Sequence, residues 1–178
     1  MKRRQFMTGA LALVATPAMA RPSITLYATP REILSPSFVD AAGRALTLGD
    51  FRGRIVLLNI CATWCPPCRE EMPTLDRLQA RLGGEDFAVV ALSVDAGGLP
   101  AVRQFYQQAG LRNLALYLGD QTRTTLAVGA YGIPTTLLID RQGRELGRKV
   151  GPAQWDSAGN VALVEDLIAG GNRVLQET

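Results

Sequence analysis

The sequence predicts an α/β fold, and three patterns predict it. Ile55–Ile60 is apolar at every position but Asn59, and Phe87–Asp95 and Thr135–Asp140 read as further buried strands. Runs that do not alternate fit strands covered on both faces. Between them lie segments whose apolar residues recur every three or four positions, as in helices laid on such a sheet. Glycines then close one element after another, at Gly83-Gly84, Gly110, Gly129 and Gly143.

The chain opens with Met1–Ala20, in which Lys2, Arg3 and Arg4 precede a largely apolar stretch, Phe6–Ala15. That stretch is too short for a bilayer, which needs about 20 apolar residues. Ala18-Met19-Ala20 is a small-x-small cleavage site, so residues 1–20 read as a secretory signal. Arg3-Arg4-Gln5-Phe6-Met7 also resembles a twin-arginine export signal, which leaves both export routes open. An uncleaved N-terminal anchor is the alternative reading. The formal charge of +3 belongs to this segment, because without it 16 basic residues face 16 acidic ones. No basic block remains to grip phosphates, so nucleic acid is not an expected partner.

Residues 21–36 have no clear period and contain Pro22, Pro30 and Pro36, which predicts an extended arm or linker. Residues 37–178 are long enough for one cored domain. It opens with a small hairpin, Phe38–Asp50, turning at Ala42-Gly43-Arg44. The strand Ile55–Ile60 follows and runs straight into Cys65-Pro66-Pro67-Cys68 and a helix. Met72, Leu75, Leu78 and Leu82 form that helix's buried stripe. Pro66 and Pro67 suit its first turn, whose N–H groups have no intrahelical partner. Pro73 lies inside the helix, frees the Arg69 carbonyl and bends it. A helix over Leu99–Gly110, a short strand at Leu114–Leu118 and a helix over Gln121–Gly129 come next. A hairpin of Thr135–Asp140 with Glu145–Val150 and a final helix over Ala158–Ala169 complete the chain.

The chemistry lies in the cysteine spacing. Residues i and i+3 on a helix face each other with Cβ atoms roughly 5–6 Å apart. Two such sulfurs can bond and part with little backbone adjustment. The first cysteine also sits at the helix N-terminus, where free N–H groups and the dipole favour a thiolate. A thiolate is the species that attacks a disulfide. Cys65 is therefore the expected nucleophile, and Cys68 the thiol that resolves the mixed disulfide. A structural zinc site needs a second ligand pair, and the chain offers only Cys61 and no histidine.

Trp64-Cys65-Pro66-Pro67-Cys68 after an apolar strand, Pro73 in the helix, and Gly132-Ile133-Pro134-Thr135-Thr136 before another strand resemble the thioredoxin superfamily. The closest resemblance is to its TlpA/ResA-like branch, over roughly residues 36–170. The resemblance implies a central mixed sheet flanked by helices, with an N-terminal β-hairpin and an inserted α/β unit. Glu71 falls on the glutamate of that branch's CxxCxxE, and Asn59 on an asparagine that replaces a buried aspartate of cytoplasmic thioredoxins. Pro134 then takes the place of the cis-proline beside the cysteines. Trp64, Pro66, Pro67, Ile133 and Pro134 would shape the substrate surface, the Ile133 backbone pairing with an extended client. Glu71 would accept the proton of Cys68 and raise the cysteine pKa values, favouring reduction. The plainer alternative is that Glu70 and Glu71 only complement the helix dipole.

The resemblance further implies a periplasmic reductase of exported proteins, with clients in cytochrome c maturation or copper-centre assembly of cytochrome oxidase. Its redox-active disulfide would be Cys65–Cys68, with no other cofactor. A membrane thiol–electron donor of the DsbD/CcdA type would re-reduce it, and the chain would act as a monomer. Two alternatives stand beside this: an oxidase donating its disulfide, and a copper(I) chaperone using Cys65 and Cys68 with Cys61 and Met72. Cys61 departs from the branch, which has tryptophan there. It reads as a small buried hydrophobe or as a third coupled thiol, with space expected beside Trp64 and Cys65.

Overall fold

The computed structural model describes residues 21–170; the expected export signal, Met1–Ala20, lies outside the described residues, as do residues 171–178. Strand β4 (Ile55–Cys61) is buried at all seven positions, as its unbroken apolar run requires. It pairs in parallel with β5 (Phe87–Ser93) and antiparallel with β7 (Thr135–Ile139). The sheet extends past β7 through β8 (Glu145–Val150) to β1 (Thr25–Arg31). On the other side it runs through β6 (Tyr117–Gly119) to the hairpin of β2 (Ser37–Asp40) and β3 (Ala45–Thr47). The result is one mixed sheet in the order β1-β8-β7-β4-β5-β6-β2-β3.

Helix α1 (Pro66–Leu82) packs on β5, α2 (Gly98–Ala109) on β6, and α4 (Ala158–Ile168) on β4. The short α3 (Gln121–Val128) joins β6 to the loop before β7. The stripe read from α1 is buried at Met72, Leu75 and Leu78, with Leu82 half-buried at the end. Gly110 and Gly129 end α2 and α3 in the left-handed conformation, at φ of 67° and 62°. Among the described residues no helix is long and apolar enough to cross a membrane.

Two elements differ from the sequence reading. The strand expected at Leu114–Leu118 is displaced to Tyr117–Gly119. The N–H groups of Arg112, Asn113 and Leu114 all donate to Asp76 Oδ1 of α1, at 3.1, 2.8 and 3.0 Å, so this stretch is held off the ladder. Residues 21–36 are extended as expected but are not a free linker, because they carry β1 and finish the sheet. The register slips between Leu26 and Arg31, a stretch that contains Pro30, which cannot donate to a ladder. Tyr27 and Arg148 converge on the buried Glu145 carboxylate and tie β1 to β8.

The β1–β8 seam depends on a missing side chain. Gly147 lies opposite Leu26, and a Cβ there would strike the Thr25 carbonyl and lie 2.9 Å from the Leu26 Cα. Gly147→Val is expected to push β1 off the edge and cost about 1–3 kcal/mol. Hydrogen exchange checks this: amides of residues 25–31 lose protection while those of β4 and β7 keep it.

Candidate active site

The cysteines sit where β4 hands over to α1. Cys65 is the N-cap residue, extended at φ −91°, and Pro66 and Pro67 open the helix. The approach is pinned by Asp95, just beyond β5, which accepts from the Thr63 N–H at 2.9 Å and the Thr63 hydroxyl at 2.6 Å. Arg69 reaches back to the Thr63 carbonyl at 3.1 Å and lies over the Phe105 ring. The loop therefore has little freedom, and the two cysteines are fixed with Cα atoms 5.3 Å apart and their sulfurs bridged.

Both sulfur-bearing residues are buried, Cys65 at 4% exposure and Cys68 at 1%. Their surroundings differ. Cys65 lies between Trp64, 59% exposed, and the exposed Pro66, and its Sγ is 3.8 Å from the Ile133 carbonyl oxygen. The Ile133–Pro134 peptide bond is cis. Tyr131, two residues earlier, is fully exposed. Cys65 thus lies between exposed neighbours in the chain and against the cis-proline loop, and Cys68 is the more deeply buried of the two.

Glu71 lies one turn past Cys68, beyond the first turn of α1, and is buried, whereas Glu70 is exposed. Its Oε1 accepts from Asn59 Nδ2 at 2.7 Å. Its Oε2 accepts from the Ala153 N–H at 3.1 Å and the Trp155 indole N–H at 3.0 Å. Burial raises the Glu71 pKa, against the opposing pull of these three donors and of the Lys149 charge. A carboxylate complementing a helix dipole at the surface would have no such setting. Asn59 is itself inaccessible and also donates to Thr136 Oγ1 at 2.9 Å.

Trp155 and Ala153 carry no motif in the sequence, and Thr136 enters it only as the end of the Gly132–Thr136 stretch. The signal for Trp155 was available: it is one of only two tryptophans, in a short loop between a strand and a helix. Its partner lies 84 residues away, which no local pattern reveals.

Cys61 is a buried free thiol whose Sγ faces the Leu92 carbonyl at 3.8 Å. Burial, then the Glu71 and Asp95 carboxylates, push its pKa far above the usual thiol range. That is the setting of a small hydrophobe, not a reactive thiolate. A void of only about 10 Å³ lies between Cys61, Met72, Phe105 and Tyr106, because α2 brings its aromatic side chains against the strand end. Among the described residues no three His, Cys, Asp or Glu side chains are grouped to hold a metal ion.

A mixed sheet with helices around it, a bridged CxxC at a helix N-terminus and a cis-proline loop across from it define a thioredoxin-fold protein built around a dithiol–disulfide pair. Known proteins agree. The redoxin family model matches residues 20–168. The thiol–disulfide oxidoreductase ResA of Bacillus anthracis is 34% identical over 120 residues, covering 66% of this chain and 68% of that protein. ResA of Bacillus subtilis is 29% identical over 150 residues, covering 80% and 83%. A thioredoxin-family thiol:disulfide interchange protein from Chlorobium tepidum superposes with a TM-score of 0.60 at 28% identity, over 76% of this chain and 97% of its own. The chain belongs to the redoxin family, on the TlpA/ResA-like branch of thiol–disulfide oxidoreductases within the thioredoxin superfamily.

The raised Glu71 pKa has a consequence for stability. The native state keeps its proton where the unfolded chain has already lost it. Native stability is therefore full below the ordinary carboxyl value of 4.5 and falls as pH rises through the native pKa. Glu71→Gln should remove this decline, giving a flatter dependence of the urea midpoint on pH above 4.5. Parallel slopes for the two proteins would contradict the burial argument.

Proposed function

We propose that this protein is an exported thiol–disulfide reductase acting on disulfides of other exported proteins in the periplasm. The observation that carries the reading is the bridged Cys65–Cys68 pair, with its outer sulfur against the Ile133 carbonyl. In the reduced protein the Cys65 thiolate attacks one sulfur of the client disulfide. That S–S bond breaks, a mixed disulfide forms, and the first client thiolate leaves and takes a proton. Cys68 then gives its proton to Glu71 and attacks Cys65 Sγ. The mixed disulfide breaks, Cys65–Cys68 closes, and the second client thiolate leaves and is protonated. The client gains two electrons and two protons.

Glu71 supports reduction over oxidation. A carboxylate one turn from Cys68 raises the cost of thiolate at the pair, and a less stable thiolate makes a better electron donor. The pair itself would be restored by a membrane thiol donor of the DsbD/CcdA type, which is oxidised in turn. Clients would be exported chains whose cysteines must stay thiols until haem or copper is attached: apocytochrome c, or the assembly proteins of the oxidase copper centre. The Lys2-Arg3-Arg4 start and Ala18-Met19-Ala20 site support export with cleavage before Arg21. Trp64, Ile133 and Pro134, with Pro66 and Pro67 at the helix tip, would form the client surface.

Three substitutions test the reading with insulin as the disulfide substrate. Cys65→Ser should abolish reduction, and Cys68→Ser should trap a mixed disulfide. Glu71→Gln should lower turnover roughly 10²-fold, the scale of losing a positioned proton acceptor. The pair's reduction potential decides direction: a value near the about −120 mV of a strong oxidase would overturn reduction. Retention of stoichiometric copper(I) against a chelator, with no insulin turnover, would favour the chaperone reading.

A further inference from the structure

Among the described residues, each hydrogen-bond partner of the Glu71 carboxyl is a donor: Asn59 Nδ2 at Oε1, and the Ala153 N–H and Trp155 indole N–H at Oε2. An ionised carboxylate accepts all three. A protonated one carries a hydrogen that none of them, as oriented, can accept, and an unpaired O–H in this interior is costly. Backbone and indole N–H groups cannot reverse their role. A side-chain amide can, because its oxygen and NH₂ ends are nearly the same size and exchange by rotation about one bond.

The setting of Asn59 fits that rotation. Its side chain is inaccessible, yet Oδ1 has no hydrogen-bond partner among the described residues, so turning the amide exchanges one unpaired end for the other. Its second neighbour, the Thr136 hydroxyl, accepts from Nδ2 at 2.9 Å and can equally donate to Oδ1. The β4–β7 register places Asn59 opposite Thr136, which holds the pair together whichever way the amide faces. The charged and titratable groups around Glu71 are Lys149 of β8, which favours the carboxylate, Cys61 of β4 and Cys68 of α1 itself.

We propose that Asn59 is a reversible positioning residue for Glu71: its amide donates to the ionised carboxylate and turns over to accept from the protonated acid. The role in turnover rests on the reading of Glu71 as acceptor of the Cys68 proton. As that proton arrives, the turned amide gives it a partner; as it leaves, the amide turns back. Asn59 is neither oxidised nor protonated in the cycle.

The test uses the oxidised full chain, in which neither active-site cysteine titrates, and follows the Glu71 carboxyl by its ¹³C shift. Asn59→Leu removes donor and acceptor together. Both protonation states then lose a partner, so the Glu71 midpoint should move by less than about half a pH unit, roughly a threefold change in the acid dissociation constant. The urea midpoint should fall both below and above it. A midpoint displaced by about a unit or more, with stability lost on one side only, means Asn59 serves one state and overturns the proposal. If the leucine variant does not fold, the wild-type Asn59 side-chain carbonyl decides. Its ¹³C resonance should move downfield on acidification with the Glu71 midpoint, and a resonance that does not move overturns the switch. These outcomes involve no client and no thiol. The reading of Glu71 as proton acceptor fails separately, if Glu71→Gln reduces insulin at the wild-type rate.

Discussion

Burying an ionisable carboxyl costs several kcal/mol unless donors meet it, and Glu71 imposes that requirement on the centre of this fold. Its donors come from β4 and from the loop between β8 and α4. The same loop binds α1 a second time, through the Trp155 N–H to Thr74 Oγ1 at 3.0 Å. Helix α1 can therefore seat the cysteines only when β4, the 151–157 loop and the indole of Trp155 are all in place. The site and the core are one construction, and Pro73, inside the helix, lies two residues after Glu71 within it.

The second constraint is the rigidity of the Cys65 approach. Thr63 is held from β5 by Asp95 and from α1 by Arg69, so the sulfur of Cys65 is presented by two elements at once. Exchange chemistry needs in-line attack through three sulfurs, and a loop that wandered would spend most of its time misaligned. Fixing the loop also places Cys65 within reach of the Ile133 carbonyl, which belongs to a third element. The exposed Trp64, next in the chain, and the Ile133 carbonyl then border the Cys65 sulfur.

Local pattern made much of this legible. β4, β5 and β7 are buried over their whole length, and a run with no polar alternation says so directly. The tip of α1 was legible for the same reason: cysteine spacing and helix-start prolines act within four residues. β1 was read as an arm because its partner is more than 110 residues away and Pro30 breaks its pattern. The strand expected from residue 114 begins only at Tyr117 because a side chain of α1, not a ladder, claims the N–H groups of residues 112–114. Asn59 and Glu71 each stand out in the sequence, but their bond does not. A side-chain pair between a strand and a helix leaves no period in the sequence.

Buried acids recur in this chain, and comparing them shows what sets Glu71 apart. Asp76 accepts from three backbone N–H groups and the Asn113 amide, which fastens the loop before β6 to α1. Asp140 accepts from the N–H groups of Gln142 and Arg144 and from the Arg144 guanidinium, which closes the β7–β8 turn. In both, the backbone of a nearby turn or loop supplies most donors, and a backbone N–H cannot turn round to accept. Glu71 also fastens a loop, but only one backbone N–H, that of Ala153, takes part. Two of its three donors are side chains, and one of those can present an oxygen instead. A carboxylate used only as a structural anchor gains nothing from an ambivalent neighbour. One that must hold a proton for part of a catalytic cycle does, because its two states need opposite partners in the same place.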